Sequence, residues 1–164
     1  MPPRIPLPHD RPNSLGVPDV TELFPSGWAA WRRAYVVLRE LDSVHPVTKE
    51  LVRIRNARRQ KCELCMSLRS SDSLAAGADE ETLEQVDHYE DSELLDLQKA
   101  ALRLADAYLT PTPGSPALAR EIRRQLSPDQ IVEILLRLVH WSNNKVMVAL
   151  GLDGDDLSRQ VYDP

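Results

Sequence analysis

Two cysteines, Cys62 and Cys65, stand three apart in a chain of 164 residues that holds no others. In a C-x-x-C unit on a helix the two Cβ atoms lie close enough to form a disulfide with little backbone movement. At a helix N-terminus the first thiol faces free N–H groups that favour the thiolate, the form that attacks a peroxide or a disulfide. Arg53, Arg55, Arg58, Arg59 and Lys61 lie just upstream, and Arg69 is one helical turn beyond Cys65. Cations push the same way wherever they lie close. The chemistry indicated is dithiol–disulfide exchange, and a plainer reading is a pair of buried structural thiols. Zinc needs four ligands. His9, His45, His88 and His140 supply neither an H-x3-H pair nor a second close pair, so no metal or other cofactor is expected.

The elements that must hold this pair read as one helix after another. Six prolines in residues 1–18 make an extended arm. Beyond it, 19–164 is expected to be a single all-α domain of six to eight helices. Ser26 is a candidate cap for a helix carrying Trp28, Trp31, Tyr35 and Leu38, its tryptophans serving as core or interface anchors. Pro46 suits the first turn of the next helix. Residues 62–76 read as a third, ended by Gly77. An acidic start at Asp79 precedes a further helix, and an amphipathic run starts at Ser92. Proline and glycine break the chain at 110–116, as a loop between helices and not a domain boundary. A short helix begins at Pro116, and Ser127-Pro128 opens a long closing helix, 131–150, stopped by Gly151. No stretch sustains period-two alternation, so no sheet is expected.

Composition narrows the class. With 42% hydrophobic and 27% charged residues the chain is ordinary globular protein, long enough to bury a core without staples. Its net charge of −5 speaks against a nucleic-acid partner. That charge is uneven: residues 1–61 hold 11 Lys/Arg against 6 Asp/Glu, and residues 62–164 hold 9 against 19. The basic run 53–61 reads as a solvated face. No run of 18 apolar residues exists, so no membrane span is expected, and residues 1–8 lack the apolar stretch of a secretory signal. With so few cysteines, a cytoplasmic location is expected.

Glu50, eleven intervening residues, Cys62-Glu63-Leu64-Cys65 and the stretch onward to Arg69 resemble the E-x11-C-x-x-C-x3-H signature of the AhpD-like alkylhydroperoxidases, within the carboxymuconolactone decarboxylase superfamily. The flanking stretches "ELVRIRNARRQKCELC" and "EILLRLVHWSNNKVMVALGL" extend the likeness to residues 4–152. The resemblance implies an all-helical AhpD-like fold, a homo-oligomer, and a small hydroperoxide or disulfide as substrate with a thiol reductant. It makes Cys65 the attacking thiol, Cys62 the resolving thiol and Glu50 the far end of a proton relay. The histidine of the signature falls at position 69, where this chain has Arg69. A guanidinium cannot shuttle a proton near neutral pH. Arg69 is left to steady a Cys65 thiolate or to pair with Glu50, and a water, His140 or His45 to move the proton. His140 lies on an apolar helix face, where a histidine is more often a core residue. Asn143 and Asn144 carry no assigned chemistry. Two rivals stand beside this reading: a decarboxylase-like lyase in which arginines hold a carboxylate, and a non-catalytic helical oligomer.

Overall fold

Proline and hydroxyl caps set the helix starts much as their positions suggest. The computed structural model describes Arg4, Val17, Thr21 and residues 23–110, 114–143, 145–152 and 157–163. The long helices are α1 (Pro25–Arg39), α2 (Pro46–Gln60), α6 (Asp96–Leu109), α7 (Pro116–Gln125) and α8 (Pro128–Ser142). Shorter ones are α3 (Glu63–Ser67), α4 (Ser71–Ala75), α5 (Glu80–Glu84) and α9 (Lys145–Leu150). Proline occupies the first turn of α1, α2, α7 and α8, where its missing N–H costs nothing. Ser127 caps α8 by accepting from Gln130 N, while Gln130 Oε1 accepts in return from Ser127 N at 2.9 Å. α1 starts one residue ahead of the expected Ser26, after Phe24, with no side-chain cap. The run from Ser92 becomes helical only at Asp96. The closing helix ends at Ser142 and resumes as α9.

The helical expectation holds, with one addition. β1 (Leu68–Ser70) and β2 (Gln160–Tyr162) pair in parallel, Leu68 opposite Gln160 and Ser70 opposite Tyr162. This pairing splits the helix expected over 62–76 into α3 and α4. Most of the expected arm, along with Asn144, lies outside the described residues. Of the arm, Arg4 N donates to Leu150 O at 2.8 Å and Val17 is fully buried. No helix among the described residues is long and apolar enough to cross a membrane.

α2 is the axis of the fold, packed on α6 and α8. Its Val52 joins Ala101, Ala105, Ile122, Ile134 and Leu138 in one core cluster. Val47, Leu51 and Ile54 join Leu83, Val86 and Leu102 in a second. A third gathers Val17, Ala57, Cys62, Leu64, Cys65, Met147 and Leu152 around the cysteines.

Arg53 and Arg55, read from the sequence as part of a solvated basic face, are buried. The reason is acidic partners drawn from distant sequence. Arg55 grips Asp106 with two bonds of 2.8 Å and donates to Val86 O, and Arg58 bonds Asp87. Burial pushes the Asp106 carboxyl up, but bonds from Arg55 and Arg59 outweigh it and hold the group below the usual carboxylate range. A carboxyl lowered in the folded state stabilises above its unfolded pKa, and that gain is lost as pH falls through the folded value. Asp106→Asn is therefore expected to cost about 1–3 kcal/mol at neutral pH. In thermal melts the gap between the two proteins should narrow once the pH drops below about 3.9; a gap independent of pH would contradict the assignment.

Candidate active site

A left-handed turn delivers the cysteines. α2 ends with Lys61 at φ 55°, and the N–H groups of Lys61 and Cys62 return to Arg58 O and Ala57 O. This is the Schellman closure, with lysine where glycine is the usual residue. The reversal makes Cys62 the cap of α3, its Sγ accepting from Cys65 N at 3.3 Å. Both cysteines are buried, with no disulfide between them. With only five residues in α3, a helix dipole contributes less here than the expected long helix would.

The charge near Cys65 comes from Arg53. Its Nε and Nη2 bond the two oxygens of Glu50 at 2.8 and 2.7 Å. Its Nη1 donates to Cys65 O at 2.7 Å and its Nη2 to Leu68 O at 2.6 Å. Ser70 N donates to Glu50 Oε1 at 3.3 Å. The guanidinium also lies 5.7 Å from the ring centre of Tyr162. Burial disfavours the charge on Arg53, yet the Glu50 bonds outweigh it and keep the group firmly protonated. One ion pair thus supplies polar partners to the last turn of α3 and to β1, where the helix does not continue.

Arg69 takes a different place from the one expected. It grips Glu80 through Nε at 2.7 Å and Nη2 at 3.0 Å, and its Nη1 donates to Met66 O and Leu68 O. Glu80, in turn, pairs with Arg159 just before β2. Arg69 therefore pairs with Glu80 and not Glu50, whose partner is Arg53. The register of the C-x-x-C-x3 spacing no longer applies once the helix stops at Ser67. His45 caps α2, its Nδ1 accepting from Val47 N, and lines no cavity with Cys65.

Cys65 opens onto a chamber of about 170 Å³ whose walls include Arg53, Asn56, His140, Tyr35 and Tyr162. Tyr35, Arg53, Trp141 and Tyr162 are shared with a larger cavity of about 380 Å³ that Glu50, Lys49 and Arg137 also line. Burial pushes the Tyr162 phenol up to about 12 and raises that of Tyr35. His140 stacks on Trp31 and Tyr35, with ring centres 5.1 and 4.5 Å apart. Burial, then Arg137, depresses its pKa. The chamber thus brings Cys65 and His140 together, with Glu50 held behind Arg53. Asn56 and Tyr162 went unread in the sequence and Tyr35 was read only as a helix residue, since no signal showed that chain segments so far apart converge.

No family model matches the chain. Two uncharacterized proteins of Mycobacterium tuberculosis, Rv2313c of strain H37Rv and MT2376 of strain CDC 1551, are 38% identical to it over 135 residues. The alignment covers 81% of this chain and 46% of each relative, so the chain spans about half the length of the curated relatives it matches. A crystal structure from Agrobacterium tumefaciens superposes with a TM-score of 0.70 at 16% identity, covering 88% of this chain and 97% of that one. That protein, ATU0492, is of unknown function and provisionally assigned as the antioxidant defence protein AhpD. The fold is AhpD-like.

Removing Arg53 leaves the Glu50 carboxyl buried without its ion-pair partner. Arg53→Met is expected to lower stability by about 3–5 kcal/mol in urea unfolding. Amide hydrogen exchange over residues 65–70 should quicken in the same variant. A neutral substitution would show that the pair does not hold this segment.

Proposed function

We propose that the protein is a thiol-dependent peroxidase that cycles Cys62 and Cys65 between dithiol and disulfide. The observation that carries this reading is Cys65 on the wall of a chamber, with the Cys62 sulfur accepting from its backbone N–H. In the proposed cycle the Cys65 thiolate attacks the outer oxygen of a hydroperoxide, forming an S–O bond and breaking the O–O bond. An alcohol leaves and Cys65 becomes a sulfenic acid. The Cys62 thiol then displaces water from that sulfur and closes the disulfide, which an external dithiol reduces. A substrate disulfide in place of the hydroperoxide makes the same pair a disulfide reductase.

Glu50 and Arg69 enter this reading as positioning residues, Glu50 by orienting Arg53 and Arg69 by fixing the corner between α3 and β1. A cycle that restarts from the dithiol fits the reducing cytoplasm. Cys65→Ser is expected to abolish cumene hydroperoxide turnover supported by dithiothreitol. Cys62→Ser should stop at a trapped sulfenic acid, read by mass spectrometry. Turnover by the Cys65→Ser protein equal to the native rate would overturn the reading.

The same reading includes a homo-oligomer. None of the residues of α1 is buried within the subunit, though Val36 and Val37 are apolar and more than half exposed. α8, against which α1 packs, leaves Val132, Leu136 and Val139 outside as well. Apolar surface on neighbouring helices is the mark of an interface. Light scattering after gel filtration should give a multiple of the 18.5 kDa chain mass, and Leu136→Glu should reduce it. A native monomer at micromolar concentration would exclude this assembly.

A further inference from the structure

A largely buried thiol that must ionise needs a proton acceptor within its chamber. Tyr35 and Tyr162 both stay protonated, because burial raises their phenols. Arg53 has no lone pair to offer, and its four bonds commit it to Glu50, Cys65 O and Leu68 O. Asn56 does not titrate, and its Oδ1 accepts from Ser142 Oγ at 3.1 Å. The Glu50 carboxylate is gripped by Arg53 and lines the other cavity, not this one. His140 remains. Its ring is held by stacking on Trp31 and Tyr35, and its Nδ1 is buried with no hydrogen-bond partner among the described residues. Imidazole is the side chain suited to exchange a proton near neutral pH.

We propose that His140 is the proton acceptor and donor for Cys65. The inference rests on the peroxidase reading above. The Cys65 S–H proton passes over one water, for which the chamber of about 170 Å³ has room, to the ring nitrogen open to that chamber, the sealed Nδ1 taking no part. The thiolate then attacks the hydroperoxide, and the imidazolium returns its proton to the departing alkoxide. The products are Cys65 sulfenic acid, an alcohol and neutral His140. Charged or titratable groups facing this ring are Arg137 on its own helix, Tyr35 on α1, Arg53 on α2, Cys65 on α3 and Tyr162 on β2. Arg137 is itself neutralised by Glu133.

The test is a pH profile of stopped-flow oxidation of the reduced protein by cumene hydroperoxide. The native rate should hold through neutral pH and fall only where His140 becomes protonated, below the ordinary histidine value of about 6.5. His140→Gln should slow the reaction at pH 7 by about 10²-fold or more. It should also move the acid limb up towards the thiol's own value of about 8.5. His140→Ala with added imidazole should recover part of the rate, which a merely structural role for the ring would not produce. Circular dichroism checks that each variant folds. Should neither variant fold, the native profile still decides, because an acid limb at or above about pH 8 excludes His140. A His140→Gln protein with native rate and native limb, while Cys65→Ser is dead, overturns this inference alone. Turnover surviving Cys65→Ser overturns the peroxidase reading instead.

Discussion

The arginine of α2 that faces the cysteines, Arg53, holds the site together through a single buried ion pair with Glu50. Burying two charges is unfavourable unless each finds geometry and further hydrogen bonds good enough to offset the lost hydration. Here the guanidinium directs its remaining donors to Cys65 O and Leu68 O, and the carboxylate accepts from Ser70 N. These are backbone groups of the last turn of α3 and of the strand that follows it, whose polar atoms have no partner within a continuing helix and need one from elsewhere. The pair therefore does two jobs with the same atoms. It lets the chain turn from helix to strand within three residues of Cys65, and it fixes a guanidinium on the Cys65 carbonyl.

The arrangement around that pair depends on charge as much as on apolar burial. α2 is polar along much of its length, yet residues 47–57 are almost all buried. The excess of cations before Cys62 and of carboxylates after it is a map of internal pairing: Arg55 with Asp106, Arg58 with Asp87, Lys49 with Glu133. Leu51, Ile54 and Val52 bind the apolar clusters on either side, and the ion pairs set the orientation in which those clusters meet.

Much of the fold was legible because its signals are local. Pro46, Pro116, Ser127-Pro128, Gly77 and Gly151 mark helix ends by steric rules that need no tertiary knowledge, and the C-x-x-C pair carries its own chemistry. The site was legible only in part. Nothing in Leu68-Arg69-Ser70 breaks a helix by itself; the break comes from pairing with Gln160–Tyr162, about ninety residues on. That long-range pairing overrides local preference, and with it the helical register that set Arg69 beside Cys65. Burial of Arg53 and Arg55 was hidden for the same reason, since a basic run looks solvated until its acids arrive. His140 was visible as a lone histidine on an apolar face. Its nearness to Cys65 was not.

The β1–β2 pairing also gives the site an order of manufacture. Tyr162 and its strand complete one wall of the chamber, yet they emerge from the ribosome about a hundred residues after Cys62. At about 5–20 residues per second, the thiols spend several seconds on the nascent chain before that wall exists. During that interval they are open to whatever small oxidants surround them, without the enclosure that later restricts access.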